Sequence, residues 1–235
     1  MASLIGTIRS SLGDQWWFIK AALAVYVVYF AIHDLPKYLP TPDLQIMAYS
    51  LLGIIFIGCA TVAMNHNITN CYPLFPGFTS ILEVIIKTIG SFFVILTGGI
   101  ITGGIVYLIG TIPADNIIVK YIFYALTMLF MMPFLIIPLV LYSARGKLTD
   151  AFRLGIIFGS AGNFIMNFIV FVIQFAIIFV LSYFCLFFFL KQMFGDNHIS
   201  LELLLYLYAV ISFFVSMVYF SDLYDDTIPA IEVKK

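Results

Sequence analysis

Six apolar runs, punctuated by prolines, glycines and polar clusters, leave this chain few ways to fold. They cover approximately 17–33, 44–64, 81–109, 117–142, 156–190 and 201–220. About 20 predominantly apolar residues in a helix cross the roughly 30 Å of hydrocarbon in a bilayer. Each run meets or approaches that length, and the third and fifth exceed it, which tilt or extension beyond the bilayer accommodates. Composition closes the alternative of a soluble domain. Hydrophobic residues make up 63% of the chain and charged residues 10%, against about 45–50% and 25% in globular domains. A soluble fold of this size lacks the interior volume to hide so much apolar surface. The expected fold is an all-α, polytopic transmembrane helix bundle forming one integral membrane domain over residues 1–235.

Two shorter stretches read as interfacial helices, 3–13 and 147–155. In the first, Ile5, Ile8 and Leu12 recur at helical spacing with Arg9 opposite, a pattern suited to lying in the headgroup region. No clear small-residue cleavage site follows the run that Trp16 and Trp17 introduce, so that run is expected to stay in the protein.

Orientation follows from basic residues. With the N-terminus in the cytoplasm, that side receives Arg9, Lys20, Lys87, Arg145, Lys147, Arg153, Lys234 and Lys235, and the other receives Lys37, Lys120 and Lys191. Both termini are therefore expected inside. Arg145, Lys147 and Arg153 dominate this bias as a membrane-surface basic cluster.

The net charge of −1 offers no electrostatic footprint for nucleic acid. Cys59, Cys71 and Cys185 are widely spaced and odd in number, which suits small apolar fillers rather than a disulfide framework. His33, His66 and His198 fall in separate connections without metal-ligand spacing, and no GxSxG or HExxH occurs. No catalytic, cofactor or metal residue is expected. Asn67-Ile68-Thr69 fits a glycosylation sequon that the expected topology places in the cytoplasm. The tail acids Asp222, Asp225 and Asp226 read as a solvated helix end.

Polar residues inside the runs deserve more weight. At about 100° per residue, Ser160, Asn163, Asn167 and Gln174 share one face of the fifth run. Amides face lipid only at a cost, so this face points to neighbouring helices or to a wet cavity. Interhelical hydrogen bonding and a solute path both remain open. Gly98, Gly99, Gly103 and Gly104 in the third run, and Gly155 and Gly159 in the fifth, have small-xxx-small spacing that brings helices together. Glu83 and Lys87 stand four apart and can pair on one face. Pro133 and Pro138 each remove a helix donor from the fourth run and are expected to kink it.

Three segments also carry a resemblance. SARGKLTDAFRLGIIF, with Leu148, Thr149, Asp150, Ala151 and Phe152 followed by Ile156, Ile157 and Phe158, resembles a segment of the domain-of-unknown-function 4013 family of bacterial and archaeal multi-pass membrane proteins. YPLFPGF, Tyr72 to Phe78, is similar to that family's proline-containing loop after the second span, and Asp14-Gln15-Trp16-Trp17 is similar to its entry into the first. The resemblance implies a multi-pass architecture in a prokaryotic cytoplasmic membrane and brings no catalytic residues. Phe, Ile and Tyr richness also fits an organellar inner membrane.

The sequence thus points to a non-enzymatic accessory or scaffold subunit of a larger membrane complex, with the lipid bilayer and protein partners or further copies of itself as neighbours. A small-solute or lipid transporter with a polar path along the fifth run is the alternative, and a membrane-embedded enzyme the third.

Overall fold

The computed structural model describes residues 4–11, 16–39, 41–68, 81–110, 117–195 and 198–227. Among these the chain is helical throughout: α1 (Leu4–Ser11), α2 (Trp17–His33), α3 (Leu35–Tyr38), α4 (Pro42–Ile68), α5 (Ile81–Gly110), α6 (Ile117–Arg145), α7 (Leu148–Ala151), α8 (Leu154–Phe175), a π-helical turn (Ala176–Val180), α9 (Leu181–Phe194) and α10 (His198–Thr227). Five helices are long and apolar enough to cross a membrane; α2, at 17 residues, is the shorter sixth. The fold is an all-α polytopic bundle, and each of the six apolar runs lies within one of these helices, the fifth within the continuous stretch from α8 through α9.

The helices α4, α5 and α6 pack consecutively. On the other side of α4 stands α10, which also meets α2, so the two ends of the chain share one side of the bundle. Thr7 of α1 hydrogen-bonds Asp222 near the end of α10, which places α1 and that end together. The chain from α8 through α9 is one continuous helix of 40 residues, Leu154–Met193. At 1.5 Å per residue it extends about 60 Å, roughly twice the hydrocarbon thickness. Phe158 packs on Phe134 of α6, Phe164 and Phe168 on Phe220, Phe171 on Tyr219, and Tyr183 on Tyr208. The long helix therefore passes from α6 across the end of α10 and then runs antiparallel along it.

Several expectations need correction. The second interfacial helix, 147–155, reduces to the single turn α7. Gly146, at φ +69°, ends α6, and Phe152 and Arg153 leave helical geometry before α8 begins. Lys147 is the N-cap of this turn and makes no side-chain cap bond. The first interfacial helix, 3–13, is described over Leu4–Ser11 as α1, which docks on α10 and α8. Leu4 and Thr7 are buried, whereas Ile5 is 68% exposed. The helix α6 runs unbroken through Pro133 and Pro138, both buried.

Candidate functional site: two polar braces

The polar residues that the structure brings together lie at the two ends of the bundle. At the α1 end, three hydroxyls tie α4, α5 and α6. The Thr61 hydroxyl donates to the carbonyl of Ile57 in its own helix, 2.8 Å away. Its one proton is thereby used, so the Ser91 Oγ, 2.8 Å from Thr61 Oγ1, is the donor of that bond. Ser143 Oγ donates to the Thr61 carbonyl at 2.8 Å. All three side chains are buried.

Lys87 completes this layer. Its Nζ donates to the Ser143 carbonyl at 2.9 Å and lies 5.2 Å from the centre of the Tyr142 ring. Ser143 belongs to the last turn of α6, where carbonyls lack helical donors and the macrodipole favours a cation. A lysine costly to place in a membrane is thus held by a helix C-terminus and an aromatic face. Glu83 turns the other way, to Asn65 Nδ2 at 3.3 Å and His66 Nε2 at 3.4 Å on α4. The expected Glu83–Lys87 pair is divided between two neighbouring helices.

Close backbone approach makes these bonds possible. A Cβ on Gly58 would stand 1.8 Å from Thr88 Oγ1 and 2.8 Å from its Cα, and one on Gly90 would stand 1.8 Å from the Tyr142 hydroxyl. Beside this layer, the two carboxylate oxygens of Asp222 accept from the Thr7 hydroxyl and the Asn67 amide, which also donates to Ser221 Oγ at 2.8 Å. The Leu4 N–H donates to Gln174 Oε1 at 3.4 Å. These bonds pin α1 to α10 and α8, and they engage the sequon asparagine in packing.

The opposite end is held differently. His33 Nε2 lies 2.8 Å from Glu202 Oε1 and 3.2 Å from the Tyr206 hydroxyl, and that hydroxyl donates to the same Oε1 at 2.8 Å. Tyr29 stacks on the imidazole at 4.5 Å. The imidazole Nε2–H and the phenol converge on one carboxylate oxygen, clasping α2 to α10. Nearby, the exposed Lys37 is held above its ordinary pKa by a hydrogen bond to Asp34 and by that carboxylate's charge.

The residues singled out from sequence are dispersed. Ser160 is buried and bonds back to the Ile156 carbonyl at 2.6 Å. Asn163 is exposed, Asn167 half-buried, and Gln174 receives α1. The four share a helical face without converging on one enclosed site. Of the glycines, Gly98 packs closely on α6, with Leu135 Cδ2 3.0 Å from where its Cβ would be. Gly99, Gly103, Gly104 and Gly155 have open space at that position, and Gly159 lies on an exposed side of α8. Arg153 pairs with Asp150 at 2.8 Å, Lys147 is exposed and Arg145 half-buried. Cys59 and Cys185 are free thiols, and no group of three metal-ligating side chains is found among the described residues. Cys71, the YPLFPGF motif and the side chains of His198, Asp225 and Asp226 lie outside the described residues.

No protein-family model, curated protein or solved structure matches this chain.

Proposed function

We propose that this protein is a non-enzymatic, multi-pass subunit that assembles with other membrane helices, as an accessory or scaffold component of a larger complex. One observation carries the reading: Gly99, Gly103 and Gly104 face outward on α5, with nothing of their own chain within 4 Å of where a Cβ would stand. In lipid, small residues on a helix surface favour association because they let a second backbone come close. Around them Leu96, Ile100, Ile101, Tyr107 and Leu108 are exposed. The polar residues support the same reading, since most of those described above are engaged in tying helices together. Both termini on the cytoplasmic side of a prokaryotic inner membrane, as the basic residues and the resemblance to the domain-of-unknown-function 4013 family suggest, complete the proposal.

Mild-detergent extraction of the tagged full chain tests it. A stoichiometric partner or a defined homo-oligomer is expected, and Gly103→Leu is expected to disrupt it while leaving the chain folded. A monodisperse monomer that Gly103→Leu leaves unchanged would overturn the proposal.

A further inference from the structure

A groove lies where the π-helical turn faces α10. Phe175, Phe179, Val180 and Tyr183 form one wall and Leu205, Tyr208, Ala209 and Ser212 the other, around about 190 Å³. Its cause is local. The π-helical turn spanning Ala176–Val180 interrupts the regular helical repeat. Stacking of Phe175 on Phe179 at 4.7 Å fills one end, and the edge-on Tyr183–Tyr208 pair at 5.4 Å props the helices apart at the other. The lining is almost wholly apolar. The rim opens sideways over Val180 and Leu205, which are 43% and 49% exposed.

Depth and charge narrow the occupant. The helices α9 and α10 form a hairpin closed near Gly195, whose φ is +69°, and the exposed Lys191 stands in the last turn of α9. From Lys191 back to Val180 is about 16 Å along the helix, close to half the hydrocarbon thickness. A lipid with its headgroup beside Lys191 therefore has its tail at the level of the groove. A partner helix is about 10 Å across with a 5.4 Å pitch, so one turn takes up roughly 400 Å³, more than the groove's volume of about 190 Å³. A hydrocarbon chain fits both the volume and the apolar lining.

We propose that this groove seats an acyl chain of an anionic phospholipid whose phosphate lies beside Lys191. The inference depends on the bundle being membrane-embedded and is independent of any partner at α5. The test uses the full chain reconstituted in vesicles of phosphatidylethanolamine and phosphatidylglycerol. A trace of phosphatidylglycerol carries a diazirine either near the acyl terminus or close to the glycerol. After photolysis, adducts of the terminal probe are expected on Phe175–Tyr183 and Leu205–Ser212. Their excess over the exposed stretch of α5 is expected to be roughly fivefold, the ratio that about 1 kcal/mol of preference gives. Ser212→Phe or, at the rim, Leu205→Trp is expected to remove the excess, and either variant suffices provided it remains helical and monodisperse. Lys191→Gln is expected to reduce labelling by the anionic lipid relative to a phosphatidylcholine probe. Even labelling of all exposed faces, an excess that both folded groove variants retain, or a protein crosslink that excludes the lipid would overturn the proposal.

Discussion

The α4–α5–α6 layer and the long α8–α9 helix invert the usual relation between hydrophobicity and burial. The apolar windows of α4, α5 and α6 have mean hydropathies of 2.2, 2.1 and 2.2, and 28%, 28% and 39% of their residues are buried. The apolar window of the α8–α9 helix has the highest mean hydropathy, 2.8, and only 17% of its residues are buried. In water the greasier helix would be the better covered. In a bilayer lipid satisfies apolar side chains as well as protein does, so close packing and hydrogen bonds decide which helices come together. The three packed helices own Gly58, Gly90, Thr61, Ser91, Ser143 and Lys87. The long helix meets α10 largely through aromatic rings.

The contrast breaks most sharply at Gly58. Gly58→Leu would collide with the Thr88 backbone as well as its side chain and is expected to cost about 3 kcal/mol, the upper range of overpacking. It should appear as a large fall in the thermal midpoint in mild detergent; an unchanged midpoint would mean α4 and α5 are not so close. Gly90→Leu meets the far end of Tyr142, which can swing, and about 2 kcal/mol is expected from the same assay. Next comes Lys87→Met. It leaves the Ser143 carbonyl without its donor, and a loss of about 1 kcal/mol is expected, against about 1–3 for a buried acceptor stranded outright, because the methionine also escapes the cost of burying a charge.

At the opposite end, Glu202→Gln weakens a clasp whose side chains are 36% and 33% exposed. Solvent screening limits the expected effect to about 0.5–1 kcal/mol. Disulfide trapping between cysteines placed on α2 and α10 would register the loosening even where the midpoint barely moves. The smallest effects belong to the unpacked surface: Asn163→Leu and Gly103→Leu should each leave folding stability within about 0.5 kcal/mol. A large loss at either would return that position to the packed core.

The amide stripe illustrates how far periodicity reaches. Helical angles put Ser160, Asn163, Asn167 and Gln174 on one face, but a face is not a neighbourhood. As the long helix crosses the end of α10, the same face passes successively from buried at Ser160 to exposed at Asn163 and then under α1 at Gln174. The glycine pattern divides likewise, with Gly98 packed on α6 while Gly99, Gly103 and Gly104 face open space: spacing identifies a surface suited to close approach without naming the helix that approaches. Gly58 and Gly90 lack a GxxxG partner and passed unnoticed, although a Cβ at either would meet a neighbouring helix's side chain at 1.8 Å.

Some of what was missed had a signal. If the six apolar runs alternate in direction, as the sequence leads one to expect, His33 near the end of α2 and Glu202 near the start of α10 share one side of the bundle. Glu202 and Tyr206, one turn apart, then face the same way. Thr61, Ser91 and Ser143 likewise fall near matching ends of successive spans.

Sequence alone determined the fold class and where along the chain the long apolar helices run. These follow from the hydrocarbon thickness, the 1.5 Å helical rise and the demand that backbone groups be satisfied within each span. Only the tertiary structure decided which helices touch, that Lys87 caps α6, that α1 docks on Asp222 and Gln174, and that the most apolar stretch is the least covered. A bilayer accepts any apolar face, so hydropathy carries no information about neighbours; that choice rests on where two backbones can meet without a side chain between them.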